Sequence, residues 1–149
     1  GLLTALLLSI AVGLILPVDV NLSSIASQTE IMMGDVLLAL TAGAAGALSF
    51  TQGISGALIG VMVAVALLPP LVVVGMLIGS GEFELAYRAA VLVMTNVISI
   101  NLAGVATFLA QGVHPGNWWE AQKARKTTWY VLGIWILLLA VLLVLIVYI

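Results

Sequence analysis

Apolar positions fall in long uninterrupted blocks along the chain. They occupy 2–16, 36–50, 54–79, 89–110 and 128–149, and polar connections separate them at 17–35, 51–53, 80–88 and 111–127. A helix that crosses a bilayer needs about 20 mostly apolar residues. The pattern therefore predicts an all-α, polytopic transmembrane bundle with five hydrophobic segments. Allowing for capping turns, the expected spans lie near 2–16, 31–50, 54–79, 88–110 and 128–149, in a single transmembrane domain over 1–149. The first block, Leu2 to Leu16, holds 15 residues and is short for a span. It has neither a basic leader region nor a small-x-small cleavage site before Pro17, so it does not read as a signal peptide. The last block continues to Ile149, so the chain reads as the membrane core of something longer.

The polar connections carry start and stop signals. Ser27-Gln-Thr-Glu30 fits a capping box and predicts a helix starting near Gln28, with Glu30 and Asp35 in its early turns. Carboxylates there suit the positive end of the helix dipole. The helix then reads Leu40-Thr-Ala-Gly-Ala-Ala-Gly-Ala-Leu48, with Gly43 and Gly46 on a small-residue face. Gly56-x-x-x-Gly60 and Gly75-x-x-x-Gly79 repeat the motif. In lipid such faces let helices approach closely, within one chain or between copies, and they predict a homo-oligomer.

"VAVALLPPLVVVG" (63–75) interrupts the third block with two consecutive prolines. Pro69 and Pro70 donate no backbone hydrogen bond, and their rings crowd the carbonyls one turn back. Leu68 and Pro69 each precede a proline and are biased away from helical angles. The expectation is a discontinuous element, helical to about Leu67 and resuming after Pro70. It either crosses as a kinked span, the favoured geometry, or returns as a re-entrant hairpin. Carbonyls near Val65 and Ala66 lose their donors and cannot face lipid.

The next block supplies partners in "TNVISIN" (95–101). Thr95, Asn96 and Ser99 share a helical face, while Asn101 lies roughly 140° around from Asn96 at 3.6 residues per turn. Two readings follow. In one, the amides and the prolines lock helices together without a ligand. In the other, freed carbonyls and amides form a midplane binding site, as broken helices do in secondary transporters. The candidate ligand or ion site is Pro69, Pro70, Thr95, Asn96, Ser99, Asn101 and Asp35.

Composition narrows the class further. Of 149 residues, 64% are hydrophobic and only 7% charged, against about a quarter charged in soluble domains. With no cysteine there is no disulfide and no thiolate nucleophile. No deep base or carboxylate pair points to an enzyme, no cofactor is expected, and no basic patch points to nucleic acid. Lys123, Arg125 and Lys126 cluster in 111–127 beside Trp118, Trp119, Trp129 and Tyr130. The positive-inside rule puts that connection in the cytoplasm of a cell (inner) membrane protein. "NWWEAQKARK" has the makings of a short surface helix.

"LLALTAGAAGAL" (37–48), "SGALIGVMVAVALLPPLVVVGMLIGSG" (55–81), "TNVISINLAG" (95–104) and "NWWEAQKARK" (117–126) occur in that order. Over roughly 28–127 the chain resembles the hydrophobic prokaryotic membrane family called domain of unknown function 389. The resemblance implies a multi-span membrane protein, often with a soluble domain outside the membrane core as a further partner besides the lipid bilayer. The functional expectation is transporter- or channel-like binding of a small solute or ion at the proline break. The alternative is a non-transporting scaffold or sensor core that oligomerises and serves a soluble domain.

Overall fold

The computed structural model describes all residues except 17, 22, 31, 113–117 and 149, and for 118–128 and 145–148 it describes the backbone only. Six helices account for the architecture: α1 (Leu2–Ile15), α2 (Ser23–Thr29), α3 (Met33–Thr51), α4 (Gly56–Ser80), α5 (Phe83–Ala110) and α6 (Trp118–Tyr148). No strand occurs among the described residues. α3, α4 and α5 are each long and apolar enough to cross a membrane, while α1 and the apolar 129–144 part of α6 are shorter. Large apolar side chains such as Leu3, Leu37, Val65 and Leu137 point outward. Small residues and β-branched side chains fill the inside, the arrangement expected where the solvent is hydrocarbon.

Close pairs fix the directions of the helices. Gly75 of α4 lies against Leu6 and Ser9 of α1, and Gly79, four residues on, lies against Ile10, Gly13 and Leu14. A β-carbon added at Gly79 would stand 2.8 Å from the carbonyl carbon of Gly13, so any larger residue would push the two backbones apart. α1 and α4 therefore run the same way, in near-backbone contact. α3 and α5 run the other way. Gly43 meets the Ile100 backbone, Phe50 stacks edge-on to Phe108 with centroids 6.0 Å apart, and Gln111 Nε2 donates to Thr51 Oγ1 at 2.9 Å. One end of the bundle thus carries α2 and the Gly81 turn, and the other carries 52–55 and the end of α5 at Gln111. Gly81, at φ 84°, closes α4 in the left-handed region, and the Glu82 N–H reaches back to Leu77 O at 2.9 Å.

The buried core sits toward the first of these ends. Val73, Val74 and Leu77 of α4 pack with Ala86, Ala89 and Val93 of α5 and with Ile25 of α2. α2 is the element that the hydrophobic pattern missed. It has seven residues, too few for a periodic signal, and is held by packing against α4 and α5.

Several expectations change. Ser27 is not a cap: it lies inside α2, and its Oγ donates to Ser24 O. α3 begins at Met33 instead, and Asp35 takes the capping role, accepting the Met32 N–H at 2.9 Å. Gly56 and Gly60 have open space where a β-carbon would go, so they mark no close contact within this chain. "NWWEAQKARK" is no separate surface helix: from Trp118 onward it forms the start of α6. The basic side chains of that stretch lie outside the described residues.

The largest correction concerns the prolines. α4 is one helix of 25 residues with Pro69 and Pro70 inside it, about 37 Å long at 1.5 Å per residue. It is not discontinuous, and it does not turn back. Proline fixes φ near the helical value, so its penalty is the missing donor and the crowded carbonyl rather than the dihedral itself. In a membrane-type bundle a neighbouring helix can serve the freed carbonyl, and here one does.

Candidate functional site

Proline chemistry builds the site. Pro70 has no N–H, so Ala66 O loses its partner four residues on, and Pro69 does the same to Val65 O. Asn96 of α5 reaches across, and its Nδ2 donates to Ala66 O at 2.9 Å. The contact expected between the proline pair and "TNVISIN" is present in this bond. The bond also orients the amide. A carbonyl accepts only, so the nitrogen must face Ala66 and the oxygen must face away. Asn96 is 6% exposed, and its Oδ1 is buried with no partner among the described residues. An unpartnered amide oxygen in such surroundings is costly, on the order of 1–3 kcal/mol.

A cavity of about 140 Å³ opens beside this bond. Its walls include Gln28, Asp35, Val65, Pro69, Pro70 and Asn96, contributed by α2, α3, α4 and α5. Pro70 is fully buried, whereas Val65 is 71% exposed.

Asp35 lies deeper than its place near an element start implied. Pro69–Pro70 are ten residues or so from the α4 end at Ser80 and Asn96 is thirteen from the α5 start at Phe83. At 1.5 Å per residue these are about 15–20 Å inward. α3 is short and starts part-way down the bundle, and α2 packs against α4 and α5 beside it. Asp35 has no basic partner: among the described residues the one ion pair is Glu84–Arg88, 3.7 Å, on the surface of α5.

The remaining sequence candidates separate. Thr95 is fully buried, and its Oγ1 donates to Val91 O of its own helix at 2.8 Å, a packing role. Ser99 is also fully buried, with Oγ unpartnered among the described residues, and does not line the cavity. Asn101 lies in a different place, on a wider apolar groove of about 270 Å³ that Gly43, Gly46 and Gly104 help to form. Asn101 is exposed, and its Nδ2 donates to Val97 O at 2.7 Å. The structure thus brings together Asp35, Pro69, Pro70 and Asn96 and sets Thr95, Ser99 and Asn101 apart. Gln28 was missed. Its only signal is an amide in a polar connection, and nothing in the sequence shows that α2 packs on α4 and α5 beside the cavity.

No three metal-ligating acids, histidines or cysteines cluster among the described residues.

The family described as Domain of unknown function (DUF389) matches residues 1–102. The match begins earlier than the resemblance drawn from the motifs and stops before "NWWEAQKARK". An uncharacterized protein of Methanocaldococcus jannaschii is 40% identical over 147 residues, which is 99% of this chain and 46% of that protein. The chain therefore spans about half the length of this relative. No solved structure matches. The matched stretch contains α1 to α4, most of α5 and every residue around the proline cavity, and the chain belongs to the domain of unknown function 389 family.

Proposed function

We propose that this chain is the membrane core of a multi-pass inner-membrane protein that binds, and passes, a small solute or ion at the Asp35–Asn96 cavity. One observation carries the reading. The amide of Asn96 is pinned by its nitrogen to a proline-freed carbonyl, and its buried oxygen is left unpartnered beside a cavity that also holds a carboxylate. The unbroken α4 alters the mechanism expected from the sequence. The site does not depend on a helix break, because the prolines supply acceptors while the helix stays intact. The distribution of basic residues supports a cytoplasmic 111–127 connection, which makes the 52–55 end cytoplasmic too. Labelling of Gly116→Cys by an impermeant reagent applied outside intact cells would overturn that sidedness.

Water access tests the site. The chain has no cysteine, so single cysteines report cleanly. Val65 lines the cavity, and Leu37, exposed to a similar degree, does not. In membrane vesicles Val65→Cys should react with a small charged thiol reagent, and Leu37→Cys should not. If both stay unreactive, the cavity is lipid-filled and the reading fails.

A second reading has its own support. Asn101 is exposed on an apolar face, about 7 Å from the midpoint of α5 by helix rise. An amide at that depth favours a protein neighbour over lipid. This supports an oligomeric scaffold or sensor core, with the groove beside Gly43 and Gly104 as the contact. Cross-linking of Asn101→Cys between copies tests it, and a strictly monomeric protein in membranes would exclude it.

A further inference from the structure

We infer that the Asp35–Asn96 cavity takes a monovalent alkali cation. The inference rests on the binding-site reading above and names its ligand class. Three groups around the cavity can present oxygen: the Asp35 carboxylate, the Gln28 amide and Val65 O, which has no i+4 donor because Pro69 follows. Asn96 forms part of the wall, with its nitrogen engaged by Ala66 O and its Oδ1 packed against protein. Among the described residues no Lys or Arg lines the cavity. Hard oxygen donors select alkali and alkaline-earth cations over softer metals.

Charge decides between one and two. Asp35 is the one acid at the cavity. It also sits in the first turn of α3, with one oxygen on the Met32 N–H. The helix end contributes roughly half a positive charge there. The net local charge is a fraction of one negative unit, which balances a monovalent ion and falls well short of a divalent one. Calcium sites gather six to eight oxygens, several from carboxylates, and no such cluster of acids occurs among the described residues. An anion would meet Asp35 and the acceptor oxygens with no cationic side chain to offset them. Size agrees. At about 30 Å³ per water in the liquid, a cavity of about 140 Å³ holds a small ion with part of its hydration shell and no large organic solute. Asp35, deep in the bundle and without a basic partner, also gives the ion a reason to enter. A carboxylate at that depth, though only partly buried, is costly unless a counter-charge accompanies it.

The test uses the full chain in detergent, with thermal unfolding followed at fixed ionic strength. LiCl, NaCl and KCl are titrated against N-methylglucamine chloride, and sodium gluconate controls for the anion. Binding to the native state alone raises stability by mass action. The expected result is saturable stabilisation by at least one alkali cation, the same for chloride and gluconate. In Asp35→Asn the apparent affinity falls by at least about tenfold, the loss of one charge-assisted contact. Gln28→Glu adds a second carboxylate on α2 and should create a response to Ca²⁺ that the wild type lacks. Three outcomes overturn the inference: no alkali-cation dependence, a response that follows the anion, or equal dependence in Asp35→Asn. If Asp35→Asn does not fold, Gln28→Glu decides by gain or absence of the Ca²⁺ response. A Val65→Cys that labels from water in a protein indifferent to alkali cations would retain the binding site and discard the cation.

Discussion

Asn96 and Asn101 are the same residue, five positions apart on one helix, and they behave oppositely. Asn96 is buried and bonds a carbonyl of α4, thirty residues away in sequence. Asn101 is exposed and bonds Val97 O of its own helix. Each has its donor satisfied. The difference is what the bond serves. Asn96 repairs a defect created by Pro70 in another helix, so its removal leaves Ala66 O of α4 unserved. Asn101 serves a carbonyl that already has a helical donor, so its removal leaves no group unserved. An asparagine in an apolar helix is therefore informative only through its partner.

Experiments can break or sharpen this contrast. The largest effect is expected at the helix contact that separates the two asparagines. Gly43 faces the backbone of Ile100, with an added β-carbon only 2.8 Å from Ile100 Cα. Gly43→Val must part α3 from α5, at about 3 kcal/mol for such overpacking. Unfolding by denaturant in mixed micelles measures it, and a loss below about 1 kcal/mol would mean that the two helices slide freely.

Asn96→Leu comes next. Ala66 O is left without a donor inside the bundle, which costs about 1–3 kcal/mol. Unchanged stability would make the bond to Ala66 incidental.

Pro70→Ala sharpens the comparison further. An alanine N–H returns the helical donor to Ala66 O, so Asn96 is no longer required there. In that background the penalty of Asn96→Leu should shrink by about 1 kcal/mol, the size of a typical single hydrogen bond. A double-mutant cycle reads this directly, and full additivity would refute the repair role.

The smallest effect belongs to Asn101→Leu. Its carbonyl partner keeps a helical bond, so monomer stability should change by less than about 0.5 kcal/mol, the usual range for exposed positions. The same variant should weaken any association of copies. A loss comparable to that of Asn96→Leu in the monomer would erase the contrast.

Hydropathy by itself determined the class and the placing of five apolar helices, because the bilayer demands one apolar length and an internally bonded backbone. The freed carbonyls of Val65 and Ala66 were also legible, since proline lacks a donor wherever it stands, and "TNVISIN" was the nearest run able to serve them. Tertiary structure decided the rest. Whether two prolines break a helix depends on whether a neighbour serves the orphaned carbonyl, and Asn96 does, so α4 stays whole. Whether Asp35 only caps α3 or also lines a cavity depends on α2, seven residues that leave no periodic trace, pack on α4 and α5, and bring Gln28 to the same cavity. Whether Thr95, Asn96, Ser99 and Asn101 act together depends on which helix each of them meets. Local sequence sets the bonding capacity of each group, but the partner that meets it is set by packing between segments far apart in the chain.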